Sequence, residues 1–162
     1  MKIQLLAISF LFLGTLKAQS IINIPSSKFV NFEIFIEKNL VVPQSVKYDC
    51  SWNYAIVEVQ TDKQGEIVNW KCINDCPDSL KRSFRFLSGY KFDKSLKIDK
   101  RTIIFYVLIE NSEVCTTPPN RTYTPNEVIK PIFYCFKRET EIDNNAIIIY
   151  EPIVFTFSKV QY

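Results

Sequence analysis

Five cysteines and no histidine set the limits on chemistry in this 162-residue chain. Without imidazole there is no Ser-His-Asp or Cys-His catalysis, no His-ligated zinc and no histidine pH switch. Cys72 and Cys76 are the most closely spaced cysteines. Their spacing is not CxxC and no second ligand pair completes a zinc site, so structural disulfides are the expected use of the cysteines. Asp93 and Asp99 flank Lys94, Lys97 and Lys100. They read as a solvated connection rather than an acid/base pair, which would need a cleft. Asn120-Arg121-Thr122 matches a glycosylation sequon, a motif short enough to recur by chance. No catalytic residue, metal ligand or cofactor is expected.

The first residues place the cysteines in an oxidising compartment. Lys2 precedes an apolar stretch from Ile3 to Leu16, and Ala18 offers the small residue needed before a signal-peptidase cut. Residues 1–18 are therefore expected to be a signal peptide, and 19–162 a single mature domain beginning at Gln19. An uncleaved anchor would need about 20 apolar residues against the roughly 14 present, so no stable membrane span is expected. Export makes the protein periplasmic or secreted, where disulfides persist. An odd number of cysteines leaves one thiol over.

Composition narrows the rest. Apolar residues make up 47% of the chain, which supports a core and argues against disorder. The 13 Phe and 8 Tyr favour strands. Removing Lys2 and Lys17 with the signal leaves 18 basic side chains against 17 acidic ones, a net charge of +1. That balance excludes the concentrated basic patch of a nucleic-acid binder.

Periodicity then gives the elements. Phe29, Phe32, Ile36 and Leu40 form one stripe of a helix over 28–40, ended by Pro43. Residues 54–61 alternate through Ala55, Val57 and Val59; Asp62–Gly65 turns, with Gly65 suited to a positive φ; 66–73 returns with Val68, Trp70 and Cys72 in phase. A second helix over 77–88 buries Leu80, Phe84 and Leu87 and stops at Gly89. The strand 101–110 has a core, Ile103–Ile109, that is apolar on both faces. It is either a central strand covered on both sides or an edge open to a partner's strand. Residues 132–136 and 146–157 read as two more strands, with Pro152 marking an edge or bulge.

The hairpin register bears on the cysteines. With Thr61 roughly opposite Glu66, Ser51 falls near Cys76, which brings Cys50 within range of Cys76. Cys72 points with Val68 and Trp70 toward the core and is left as a buried free thiol. Cys115 and Cys135 then pair, closing a loop of about 20 residues worth roughly 3 kcal/mol in chain-entropy terms. The main alternative is Cys50–Cys72 with Cys76 free.

The order helix, Pro, hairpin, helix, strand resembles the C-terminal domain of TonB-type energy transducers. The likeness is carried by Phe32-x2-Phe35-Ile36-Glu37-Lys38-Asn39-Leu40-x2-Pro43 and by Ala55–Thr61 running into Asp62-x2-Gly65-Glu66-Ile67. Pro77–Gly89, Tyr90-Lys91-Phe92 and the 101–110 strand complete it, over about residues 29–109. The resemblance implies an α+β fold: a small antiparallel sheet of three core strands, with the C-terminal strands added, and two helices on one face. It implies no enzyme activity, and capture of an extended segment of an outer-membrane or envelope protein by strand addition. On this sequence the capturing strand would present Ile104, Tyr106 and Leu108. The extension at 111–162 opens a second reading, a structural or scaffold protein whose C-terminal strands cover that edge.

Overall fold

The computed structural model describes residues 26–49, 53–110, 131, 146–149 and 151–157. Its hairpin is built by β1 (Asn53–Thr61) and β2 (Ile67–Cys72), antiparallel to each other. Asp62 makes the turn. Its carboxylate accepts the Gln64 and Glu66 backbone N–H groups, both at 2.8 Å, and its own N–H donates to the Glu66 carbonyl. Those backbone donors, that of Glu66 foremost, hold the Asp62 carboxyl below its ordinary pKa. Gly65 has φ +75°, the left-handed geometry the sequence calls for there.

Thr61 lies opposite Ile67, but Gln60 lies opposite Asn69, so β2 carries one extra residue at a bulge. The bulge corrects the expected phase. Ile67 faces the core, whereas Val68 is 62% exposed, and Trp70 and Cys72 pack against the core from the far side of the irregularity. Simple alternation across 66–73 could not reveal a one-residue slip.

The third strand, β3 (Thr102–Glu110), runs antiparallel to β1 with Val57 opposite Phe105. Its other edge is taken by β4 (Ala146–Ile148) and β5 (Ile153–Thr156), both parallel to it. The sheet is therefore mixed, in the order β2-β1-β3-β4 with β5 following β4 along β3. The C-terminal strands were expected to extend an antiparallel sheet, and their direction is a correction. β3 and β4 are separated by a long connection, and such a connection permits either direction where a tight hairpin would permit only one.

Among the described residues, the α-helices given bounds are α1 (Val30–Asn39), α2 (Gln44–Lys47) and α3 (Asp78–Ser83). Short 3-10 turns at Ser26–Phe29 and Phe84–Leu87 extend the first and third, so the expected helices 28–40 and 77–88 are each part α and part 3-10. α2 has no counterpart in the sequence reading. Four residues after Pro43 are too few to show a helical period, yet Pro43 sets the extended backbone that starts the turn.

Phe32 and Ile36 of α1 and Leu80, Phe84 and Leu87 of the third helical segment are all buried in one cluster with Val57, Phe105 and Val107 of the sheet. Phe32 anchors it, its ring lying 4.7 Å from that of Phe92 and 5.1 Å from that of Phe105. Truncating Phe84 to Ala is expected to destabilise the fold by about 3–5 kcal/mol in chemical denaturation, the cost of a cavity at a fully buried aromatic. A change near zero would show that the helical layer is not part of the cooperative core.

Candidate functional site

The candidate site is the far edge of β3. Along a strand, backbone groups alternate in direction, so one set of residues bonds to one neighbour and the next set to the other. Ile104 and Glu110 direct theirs away from β1. The Ile149 N–H donates to the Ile104 carbonyl at 2.9 Å, and the Phe157 N–H donates to the Glu110 carbonyl at 3.0 Å. Two of the three residues expected to meet a partner, Ile104 and Leu108, are thus already paired with the chain's own C-terminal strands. Ile104 pairs with Ile148 and Leu108 with Val154. Ile104 is 2% exposed, and Tyr106 and Leu108 are fully buried. With Ile56 they make a second apolar cluster on the face opposite the helices, joined by Tyr54, Ile73 and Ile148.

The C-terminal strands fit because their alternation matches the sheet. Ile147, Ile149 and Ile153 are buried in the main core, and Phe155 and Phe157 pack against it. The pairing is interrupted once. Between the Ile104–Ile148 and Val107–Ile153 pairs, three steps along β3 meet five along the C-terminal segment. The two extra residues fall in the stretch holding Glu151 and Pro152. Pro152 has no N–H to give a ladder, which explains why the break lies there. Beyond β5, the Lys47 ammonium sits 4.7 Å from the centre of the Phe157 ring, a cation–π contact joining α2 to the end of the added strand.

Charge also gathers at the break. Burial, together with the like charges of Glu37 and of Glu151, raises the pKa of Glu33 on α1. Here α1 meets the connection between β4 and β5 with carboxylates on both sides.

The cysteines divide between described and undescribed parts of the chain. Cys50, Cys115 and Cys135 lie outside the described residues, and with them the expected pairs Cys50–Cys76 and Cys115–Cys135. Cys72 and Cys76 are both free thiols, Cys72 half-buried and Cys76 buried. The strand expected at 132–136 and the sequon at Asn120 also lie outside the described residues.

A surface cavity of about 350 Å³ is floored by the core aromatics Phe29, Phe32 and Phe92, with Lys28 and Lys91 at its sides. The carboxylate that lines it, Asp93, is occupied in capping the 3-10 turn at Lys94–Leu96, accepting the Ser95 N–H at 2.7 Å. Among the described residues no group of three or more His, Cys, Asp or Glu side chains could hold a metal ion. No described helix is long and apolar enough to cross a membrane. No protein-family model matches this chain, and no curated protein or solved structure matches it.

What sequence reading missed at the site is the parallel direction of β3's C-terminal neighbours, whose covering of this edge was the second of its two readings. The available signal was the shared odd-numbered phase of Ile147, Ile149, Ile153, Phe155 and Phe157, which only a strand with one buried face needs.

Glu33 supplies a test of the junction. A carboxyl whose pKa is raised by folding binds its proton more tightly in the folded state, so its ionisation costs stability above the ordinary carboxylate pKa of about 4.3. That cost fades as the pH falls through the raised value and below it. Glu33→Gln is therefore expected to raise the Tm at pH 7 by about 1–2 °C, with the gain shrinking toward pH 4. Thermal unfolding across that range checks it; a variant less stable than the native protein at pH 7 would contradict the crowding of carboxylates there.

Proposed function

We propose that this chain is an exported, non-enzymatic protein of the cell envelope, periplasmic or secreted, with a TonB C-terminal-like domain in a structural or scaffolding role. Its C-terminal strands fill the edge that such a domain would otherwise offer to a partner. The observation that carries this reading is the parallel pairing of β4 and β5 along β3. An edge already bonded has no unpaired row of backbone groups to template another strand. The core arrangement supports the likeness: β2, β1 and β3 are antiparallel neighbours, with α1 and α3 on one face. A chain without histidine also lacks the most common general base.

A second reading has its own support. β4 and β5 are only three and four residues long and are separated by the irregularity at Glu151-Pro152. Two short ladders can give way to one continuous strand, so binding of an extended segment of an envelope protein at Ile104, Tyr106 and Leu108 would proceed by exchange. In this reading the C-terminal strands are a resident occupant that a partner must outcompete.

A synthetic peptide spanning residues 146–157 tests the occupied edge. Replacing Ile149 and Phe157 by Pro removes two of the N–H groups that donate to β3, one at the end of each ladder. The peptide is expected to bind this double variant at least about tenfold more tightly than the native protein, a difference of about 1.4 kcal/mol. Equal binding to both by titration would mean that the edge is open in the native protein, and the scaffold reading would fail.

A further inference from the structure

The cavity beside the start of α1 combines a fixed aromatic floor with cations that no described carboxylate pairs with. In the floor, the Phe32 ring lies 4.7 Å from that of Phe92 and 5.1 Å from that of Tyr90, and the Tyr90 ring lies 5.0 Å from that of Phe92. Phe29 meets Phe92 edge-on at 6.2 Å. Phe29, Phe32 and Phe92 are buried, so each offers the cavity only a small part of its ring; Tyr90 and Leu96 are half-buried and offer more. The wall carrying Tyr90 and Phe92 is tied to the end of the hairpin. The Tyr90 carbonyl accepts the Ile67 N–H at 2.8 Å, and the Phe92 N–H donates to the Gly65 carbonyl at 3.0 Å. The opposite wall is held by Phe29 and Phe32, both members of the main core. The space is thus built into the fold. Its volume of about 350 Å³ lies at the small end of the roughly 300–1,000 Å³ typical of ligand pockets.

The rim is basic. Lys28 and Lys91 line the cavity, and among the described residues neither lies within ion-pair distance of a carboxylate. Lys91 does act on Asp62 through space, but the Asp62 carboxylate already accepts the Gln64 and Glu66 N–H groups. Asp93, the acidic residue of the lining, is held in the same way by the Ser95 N–H. Both neighbouring carboxylates are therefore engaged with backbone donors, and the two ammonium groups are left to meet an anion from outside.

We propose that this cavity binds a small aromatic carboxylate, its ring laid against the aromatic floor and its carboxylate met by Lys28 and Lys91. Aromatic rings favour offset or edge-to-face neighbours about 4.5–7 Å away, the spacing the floor rings already keep with one another, so a ligand ring extends the cluster. The lysines reach inward on flexible apolar stems and keep their charges at the water boundary. An exposed ion pair is weak by itself, so selectivity comes from ring and charge together. The site is separate from the edge of β3, and the scaffold reading neither requires it nor depends on it.

Titration of the isotope-labelled protein with phenylacetate, followed by the backbone N–H signals, tests this. Saturable shifts are expected at residues 28–32 and 90–96. Phenylacetamide keeps the shape and lacks the charge. It is expected to bind about tenfold more weakly, since two exposed ion pairs contribute up to roughly fivefold each. Acetate keeps the charge and lacks the ring, and is expected to bind at least about tenfold more weakly than phenylacetate. The double variant Lys28→Gln, Lys91→Gln changes two exposed side chains, so the fold is expected to survive while the preference for acid over amide is lost. Lys38→Gln, at an exposed lysine of α1 outside the lining, is expected to keep that preference. No saturable shift at these residues, equal binding of acid and amide, acetate matching phenylacetate, or a preference that the double variant retains would each overturn the proposal.

Discussion

The structure depends on β3, a nine-residue strand that is apolar on both faces and bonded on both edges. A strand of this kind has no favourable exposed state. Its side chains leave water only if both faces are covered, and once covered its backbone N–H and C=O groups must find partners within the protein. β1 satisfies one edge along nearly the full length, from Thr102 to Ile109. The other edge requires two further strands, and the chain obtains them from its own C-terminal segment. The helical layer follows from the same demand, since Phe105 and Val107 need Phe32, Ile36 and Phe84 to close over them.

The remaining features serve to hold β1 and β3 in place. The Asp62 carbonyl accepts the Lys100 N–H at 2.8 Å, and the Thr61 N–H donates to the Arg101 carbonyl at 2.9 Å. The hairpin turn thereby also anchors the entry to β3. Thr61 Oγ1, buried among apolar neighbours, donates to the Ile98 carbonyl and accepts the Arg101 N–H, so its polarity is fully used. At the opposite end of the hairpin, Asn74 does the same for β1 and the turn before α3. One polar side chain at each end thus fixes the course of a segment that carries little regular structure.

Much of this frame can be read from residue order. The hairpin, the two helical stripes and the third strand follow from period-two and helical spacing together with Asp62, Gly65, Pro77 and Gly89. Three features do not. The bulge in β2 shifts Val68 to the surface, and no residue type in Gln60–Asn69 announces it. α2 is a single turn. The neighbours of β3 are separated from it by more than 30 residues of sequence, and pairing over that distance leaves no local trace. The candidate site suffered most from this last limit, because Ile104, Tyr106 and Leu108 look the same in sequence whether they await a partner's strand or are already covered.

The central claim is that the chain completes its own sheet along β3. Proton–proton contacts in solution measure this directly in an isotope-labelled sample. A self-completed sheet gives cross-strand contacts in parallel register between the backbone protons around Ile104 and Ile149, and again around Glu110 and Phe157. Absence of both sets, or an antiparallel pattern in their place, would contradict it.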